Sequence, residues 1–297
     1  MTTSFPRLRR YKPNLSQWAA NIVNEEYAYI HIFKNGGTTI FFQTDRRHVT
    51  LHHEDVQRRK WFAVVRDPID HFLSGWGEVG NSDRNQRLKR LNLPINAPYQ
   101  PGGPERLPPK LTLDYDTRIQ RYLKLVKSVV GASGWHRECH SFPQVNFLLD
   151  ENGNIPSNLE IIGDLQELPS VLGLVGFEYD PYVATGRNAT ENLFVSTFYP
   201  RRVDLLSDET IRKLCDFLAL DYYMLEYPLP ESCHDMGPFG YTNWTAIPRK
   251  KTDRPQLTPK QRQEQLAQMK RQKEMMKGRK PQKPASLYST FPWRDGD

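Results

Sequence analysis

Between Tyr27 and Phe42 the chain reads YAYIHIFKNGGTTIFF: a short apolar run, a Lys-Asn-Gly-Gly-Thr-Thr turn, and a second apolar run. That order leaves few folds open. The first run predicts a buried strand over residues 27–33, and the second the start of a helix over 38–43 with Ile40, Phe41 and Phe42 toward a sheet. A glycine turn between strand and helix lets the backbone approach an anion closely. The opening N–H groups of the helix point at it, and Lys34, Thr38 and Thr39 add a charge and two hydroxyls. With Asn35, Gly36 and Gly37 these residues make a phosphate cradle.

A second signal follows about thirty residues later. Residues 61–65, WFAVV, form a compact apolar run of the kind found in buried parallel strands, and Arg66 stands at its carboxyl end. Pro68 suits the first turn of a helix, and Ile69, Phe72, Leu73 and Trp76 recur at helical spacing, which predicts a helix over 68–78. Ser74 lies off that stripe, where its hydroxyl can face a ligand. Residues 48–52 alternate weakly as a further strand. In open α/β sheets ligands bind beyond the carboxyl ends of the strands, so both motifs fall on one edge. The expected fold is α/β, a P-loop-like central parallel sheet flanked by helices.

Read together, IFKNGGTT and VVRDPIDHFLSG resemble the two nucleotide-binding motifs of the sulfotransferases, in particular the carbohydrate sulfotransferases that use 3′-phosphoadenosine 5′-phosphosulfate. The resemblance implies that Lys34, Asn35, Gly36, Gly37, Thr38 and Thr39 hold the 5′-phosphosulfate and that Arg66 and Ser74 grip the 3′-phosphate. It implies transfer of a sulfuryl group to a hydroxyl of a carbohydrate acceptor, with adenosine 3′,5′-bisphosphate as product and no metal. An uncharged hydroxyl needs a general base, and enzymes of this type place a His or Glu between the two motifs. His53 is the first candidate, with His52 and Glu54 behind it; His31 reads as a packed residue and His71 as a solvated helix residue. The segment HRECHSFPQVNFLLD resembles the family's His-x-x-Pro region, which implies that His140 and Gln144 line the acceptor site beside Pro143. Arg187 and Asn188, in the loop before the C-terminal helix, are candidate cofactor contacts on the same ground, and Arg187 is also a candidate for the acceptor. The resemblance spans residues 27–227.

The rest of the chain is organised around that region. Residues 1–20 read as an arm, 21–245 as the catalytic domain and 246–297 as a basic tail, helical in part after Thr258-Pro259. Residues 80–110, rich in Pro, Gly, Asn and Arg, read as a loop insertion. Ile119, Tyr122, Leu123, Val126 and Val130 predict an amphipathic helix, and Ser207 caps another that buries Ile211, Leu214, Cys215 and Leu218. LEIIGDLQELPSVLGLVG predicts a strand ending near Gly163 and then a helix.

Composition bounds the class. The 297 residues, 38% of them hydrophobic, suffice for a sizeable core, while a mean hydropathy of −0.69 keeps the surface polar. No apolar run of membrane-spanning length and no leader is expected, which points to the cytoplasm; the alternative is the Golgi lumen with an anchor absent from this chain. Sequons at Asn14, Asn188 and Asn243 suit a lumen. Three cysteines without ligand spacing argue against a disulfide framework and for at least one free thiol. The net charge of +7 suits a polyanionic cofactor or an anionic glycan, though much of it sits in the tail. Two rivals stay open. A P-loop kinase or NTPase also cradles phosphates, but its lysine follows the glycines whereas Lys34 precedes them. A basic nucleic-acid-binding protein would need no catalysis, yet no helix-turn-helix, zinc or aromatic RNA motif appears. An inactive sulfotransferase-like fold is the third possibility.

Overall fold

Near-continuous apolar runs, buried on both faces, organise the centre of the sheet. In the computed structural model, residues 19–44, 48–90, 113–129, 137–150, 154–179 and 199–236 are described. All belong to the first of two units into which the chain divides, Met1–Thr252 and Asp253–Asp297. The basic tail, Arg187, the three sequons and most of the expected arm and insertion lie outside the described residues.

Five strands, β1 (Ala19–Ile22), β2 (Tyr27–Ile30), β3 (His48–Thr50), β4 (Lys60–Val65) and β5 (Leu159–Asp164), form one sheet in the order β3-β1-β2-β4-β5. β2, β4 and β5 are parallel, with Ile30 beside Ala63 and Val65 beside Asp164. β1 is antiparallel to both β2 and β3. The fold is α/β with a central parallel core, as expected, but the sheet as a whole is mixed because β1 runs antiparallel to its neighbours. Because β1 reverses twice, β3 runs in the direction of β2, and the carboxyl ends of β2, β3, β4 and β5 share one edge. β1 starts at Ala19, inside the expected arm; the turn to β2 is fixed by Asn24, whose Oδ1 accepts from the N–H groups of Glu26 and Tyr27.

Helices cover both faces. The described helices are α1 (Gly37–Gln43), α2 (Glu54–Gln57), α3 (Pro68–Arg90), α4 (Tyr115–Val129), α5 (Leu168–Leu174), α6 (Asp208–Phe217) and α7 (Ala219–Met224). Tyr29, Phe62, Val64 and Ile161 pack on one face with Ile40 of α1 and Val171 and Leu172 of α5. Ala28, Ile30, Ala63, Val65 and Ile162 meet Val145, Phe147 and Met224 on the other. A further cluster joins α3, α4 and α6 through Phe72, Leu73, Ile119, Leu123 and Leu214. Four of the five residues expected to form the α4 stripe are buried, and Val130 lies outside the described residues. Ser207 caps α6 by accepting from Thr210 N.

Two helix expectations need correction. α3 does not stop at residue 78 but runs to Arg90, so residues 80–90 are helix and not loop. Nothing in DRNQRLKR breaks a helix, and Arg, Gln, Leu and Lys favour one without an apolar period. Gly75 within α3 permits close packing on the 3₁₀ turn Arg137–Ser141: a Cβ there would stand 2.3 Å from His140 O.

Cys215 and Cys233 form a disulfide, contrary to the reading from cysteine number, and Cys139 is the buried free thiol. An odd count bears on how many thiols remain, not on which two the fold brings together. Here α6 and the 3₁₀ turn Glu231–Met236 are held side by side, and Arg212 forks onto Asp235 at 2.7 and 2.8 Å. Among the described residues no helix is long and apolar enough to cross a membrane. Thiol titration of the denatured, unreduced protein should count one thiol per chain, rising to three after reduction. Three before reduction would remove the cystine.

Candidate functional site

The cradle begins where β2 ends. Ile32 N bonds back to Ile30 O, and the chain then curls through two left-handed residues, Lys34 (φ 65°) and Gly36 (φ 81°), before α1 starts at Gly37. A positive φ is cheap for Gly36 but costs a lysine about 1 kcal/mol or more, and such conformations persist where the surroundings fix them. Gly37 is required for a different reason: a Cβ there would lie 2.1 Å from Nε2 of His31, whose ring packs between Tyr29 and Phe33. His31 is thus the packed residue expected. Tyr29, on β2, donates from its hydroxyl to Asn35 O at 3.1 Å and ties the turn to the sheet.

Behind the cradle stands a buried polar chain. Gln144 Oε1 accepts from Arg66 N (3.0 Å) and from Asn35 Nδ2 (2.7 Å), while Gln144 Nε2 donates to Arg66 O (2.8 Å). One carboxamide therefore holds both motifs. Gln144 is held in turn by Asp221 on α7, whose carboxylate accepts from the N–H groups of Gln144 (2.8 Å) and Val145 (2.9 Å). On the other side His71 Nδ1 lies 3.1 Å from Asn35 Oδ1 and His71 Nε2 lies 3.1 Å from Phe142 O; both partners are acceptors, so a neutral ring donates to only one of them. Asn35, His71, Gln144 and Asp221 are all fully buried. His71 is accordingly no solvated residue: burial first, and then the nearby Arg66 guanidinium, push its pKa down to about 3, so the ring is neutral. Burial pushes Asp221 up to about 7 against the pull of its N–H donors.

The cations lie at the mouth. Arg66 Nη1 donates to Lys34 O at 3.1 Å, so two motifs 32 residues apart in sequence touch directly. Arg66 Nη2 is ion-paired with Asp70, and Arg201 Nη1 reaches the same carboxylate at 3.3 and 3.4 Å. Lys34 Nζ pairs with Glu78 at 2.7 Å. Asp70, Ser74 and Glu78 are spaced i, i+4, i+8 on α3 and share one face. Half-buried Ser74 therefore sits between the carboxylate that holds Arg66 and the one that holds Lys34. Burial lowers the pKa of Arg66, opposed by Asp70, and raises that of Asp67, whose Oδ1 accepts from Asp70 N at the start of α3.

The fold thus brings Lys34, Asn35 and Arg66 together, with Gly36 and Gly37 in the same turn; Thr38 and Thr39 lie in the first turn of α1, and Ser74 on α3 between Asp70 and Glu78. Gln144 belongs with them, but as a buried brace instead of a surface contact. His140 stacks on Phe33 at 4.5 Å and is half-buried. His52, His53 and Glu54 stand apart at the β3–α2 turn. They are on the shared carboxyl edge, but β1 lies between β3 and β2, a lateral offset of about 10 Å. His53 Nδ1 accepts from Asp55 N at 3.2 Å and caps α2. Sequence reasoning missed His71, Asp70, Glu78, Arg201 and Asp221. The i+4 spacing of Asp70 and Glu78 about Ser74 was the available signal for two of them. Among the described residues no group of His, Cys, Asp and Glu has the geometry of a metal site.

No family model, curated protein or solved structure matches the chain.

Two outcomes test the brace. Gln144→Leu leaves the Arg66 N–H and C=O and the Asn35 Nδ2 without their Gln144 partner, and should cost about 3–5 kcal/mol in denaturant unfolding; a loss below about 1 kcal/mol would mean that the chain of bonds is dispensable. Asp221 has a folded pKa raised from 3.8 to about 7, so its native form holds a proton that the unfolded chain releases, and its contribution declines as pH rises through that window. His71 acts oppositely, so the informative quantity is the wild-type stability minus that of Asp221→Asn. It should shrink from about pH 4 to about pH 7 by at most about 1.4 kcal/mol per pH unit. A difference that grows with pH contradicts the assignment.

Proposed function

We propose that this protein is a sulfotransferase that moves a sulfuryl group from 3′-phosphoadenosine 5′-phosphosulfate to a hydroxyl of a carbohydrate acceptor. The observation that carries the reading is the junction of the two motifs, with Arg66 Nη1 on Lys34 O at 3.1 Å and Ser74 between their ion pairs. Two phosphate-binding elements in contact suit one ligand with phosphates at two positions. In this reading Lys34 and the backbone from Gly36 to Thr39 take the 5′-phosphosulfate, and Arg66 with Ser74 the 3′-phosphate. Asn35 shapes the turn from within, since its carboxamide is given to Gln144 and His71.

The acceptor oxygen bonds to sulfur as the bridging S–O bond breaks. The electron pair leaves on the 5′-phosphate, where Lys34 and the turn N–H groups stabilise the growing charge. The acceptor proton passes to a base at the carboxyl end of β3, His53 first, then His52 or Glu54. His140 and Arg187 are assigned to the acceptor, a glycan that can itself be anionic. The Cys215–Cys233 cystine favours an oxidising compartment, the lumenal alternative, over the cytoplasm.

Calorimetric titration with adenosine 3′,5′-bisphosphate, with ATP and ADP as controls, tests the reading. The bisphosphate should bind tightest, and Arg66→Ala should weaken it by at least about tenfold in a folded protein, the scale of a lost charge-assisted contact. Preference for ATP would favour a kinase or NTPase; binding of neither would favour a protein without nucleotide chemistry.

A further inference from the structure

The cations of this site are not bare. Lys34 is met by Glu78, and Arg66 and Arg201 share Asp70, with both carboxylates projecting from one face of α3 two turns apart. Arg66 Nε is buried without a hydrogen-bond partner, so the guanidinium has donor capacity that its carboxylate does not use. Asp67 is close enough to act on Arg66, but its Oδ1 is spent on the first turn of α3. The carboxylates at the mouth remain accessible: the side chain of Asp70 is 36% exposed and that of Glu78 22%. The Arg201–Asp70 pair is the most exposed of the three, and a pair of that kind contributes little net stability. A phosphate offers several acceptor oxygens to a guanidinium fork and more charge than one carboxylate.

We propose that Asp70 and Glu78 are resident counter-ions of an anion site whose cations are Lys34, Arg66 and Arg201, and that a phosphate-bearing ligand binds by displacing them. Arg201, which no sequence motif marks, becomes a third cation of that site because it already grips the carboxylate held by Arg66. The arrangement selects by charge. A singly charged anion gains too little to replace the carboxylates, whereas a ligand with phosphates at two positions meets both ends of the face at once. Ser74 lies midway between the two carboxylates on that face. This inference rests on the nucleotide reading for the identity of the ligand, not for the exchange itself.

The sign of a mutational effect decides it. A carboxylate that merely props up the site weakens binding when neutralised; a carboxylate that competes with the ligand strengthens it. Asp70→Asn and Glu78→Gln, each isosteric and each at the surface, should tighten binding of adenosine 3′,5′-bisphosphate about 3- to 10-fold by calorimetry. Arg201→Ala should weaken it about 5-fold or more. Inorganic pyrophosphate titrated in parallel separates the two levels of argument. If the bisphosphate fails to bind the wild type but pyrophosphate binds and is tightened by both neutralisations, the nucleotide reading falls and the counter-ion exchange stands. If the bisphosphate binds and both folded variants bind it equally or more weakly, the exchange is overturned and the nucleotide reading survives. Failure of both anions to bind the wild type overturns both.

Discussion

The carboxamide of Gln144 is the interaction on which the site depends. It touches both Arg66 at the end of β4 and Asn35 in the turn after β2. Adjacent parallel strands place those two segments side by side, and this amide, donating and accepting in one plane, locks them together along with the Arg66 Nη1 bond to Lys34 O. A buried amide left half-satisfied costs about 1–3 kcal/mol per lost bond, so the brace works as a unit or fails as one. Asp221 extends the same logic a step outward by accepting from two consecutive N–H groups and fixing where Gln144 begins.

Polarity grades outward from that brace. At the centre, burial keeps His71 neutral and raises Asp221, so the interior is poor in net charge. Charge is concentrated at the mouth, on Lys34, Arg66 and Arg201, each on a carboxylate of α3. Arg66 joins the two layers. Its backbone N–H and C=O are gripped from inside by Gln144, while its guanidinium, always protonated, faces Lys34 O and Asp70. A rigidly held backbone beneath a charged fork is what anion recognition asks of an arginine.

The sequence made the cradle legible because strand, glycine turn and helix each carry a local signature, and Arg66 was legible because it ends an apolar run. Other parts were hidden for physical reasons. Ala19–Ile22 is a four-residue strand with no period of its own; its role as the antiparallel strand between β2 and β3 exists only through long-range pairing. His71 looked solvated because it lies off the apolar stripe of α3, yet a second layer of packing, from the turn around Phe142, covers that face. The cystine escaped because cysteine number says nothing of which helix meets which turn. Gln144 was singled out, but for the acceptor, since a glutamine in a loop segment carries no mark that it is fully buried. The tail, the sequons and Arg187 lie outside the described residues.

The position of the lysine carries the remaining argument between phosphate chemistries. Where a lysine follows the glycines, it rises from the first turn of the helix and meets the phosphates along the helix axis. Lys34 precedes the glycines, and its left-handed backbone sends its side chain to Glu78, across to α3. The first turn of α1 offers only Gly37, Thr38 and Thr39. Positive charge therefore approaches from the side, from residues that follow β2 and β4, and not from beneath the turn. Such lateral cations are spread along the α3 face between Asp70 and Glu78, two helical turns or about 12 Å. A linear triphosphate concentrates its charge at one end, whereas a nucleotide with phosphates on both the 3′ and 5′ carbons divides it. The proposed ligand, with phosphates at two positions, divides its charge as the cations on this face are divided.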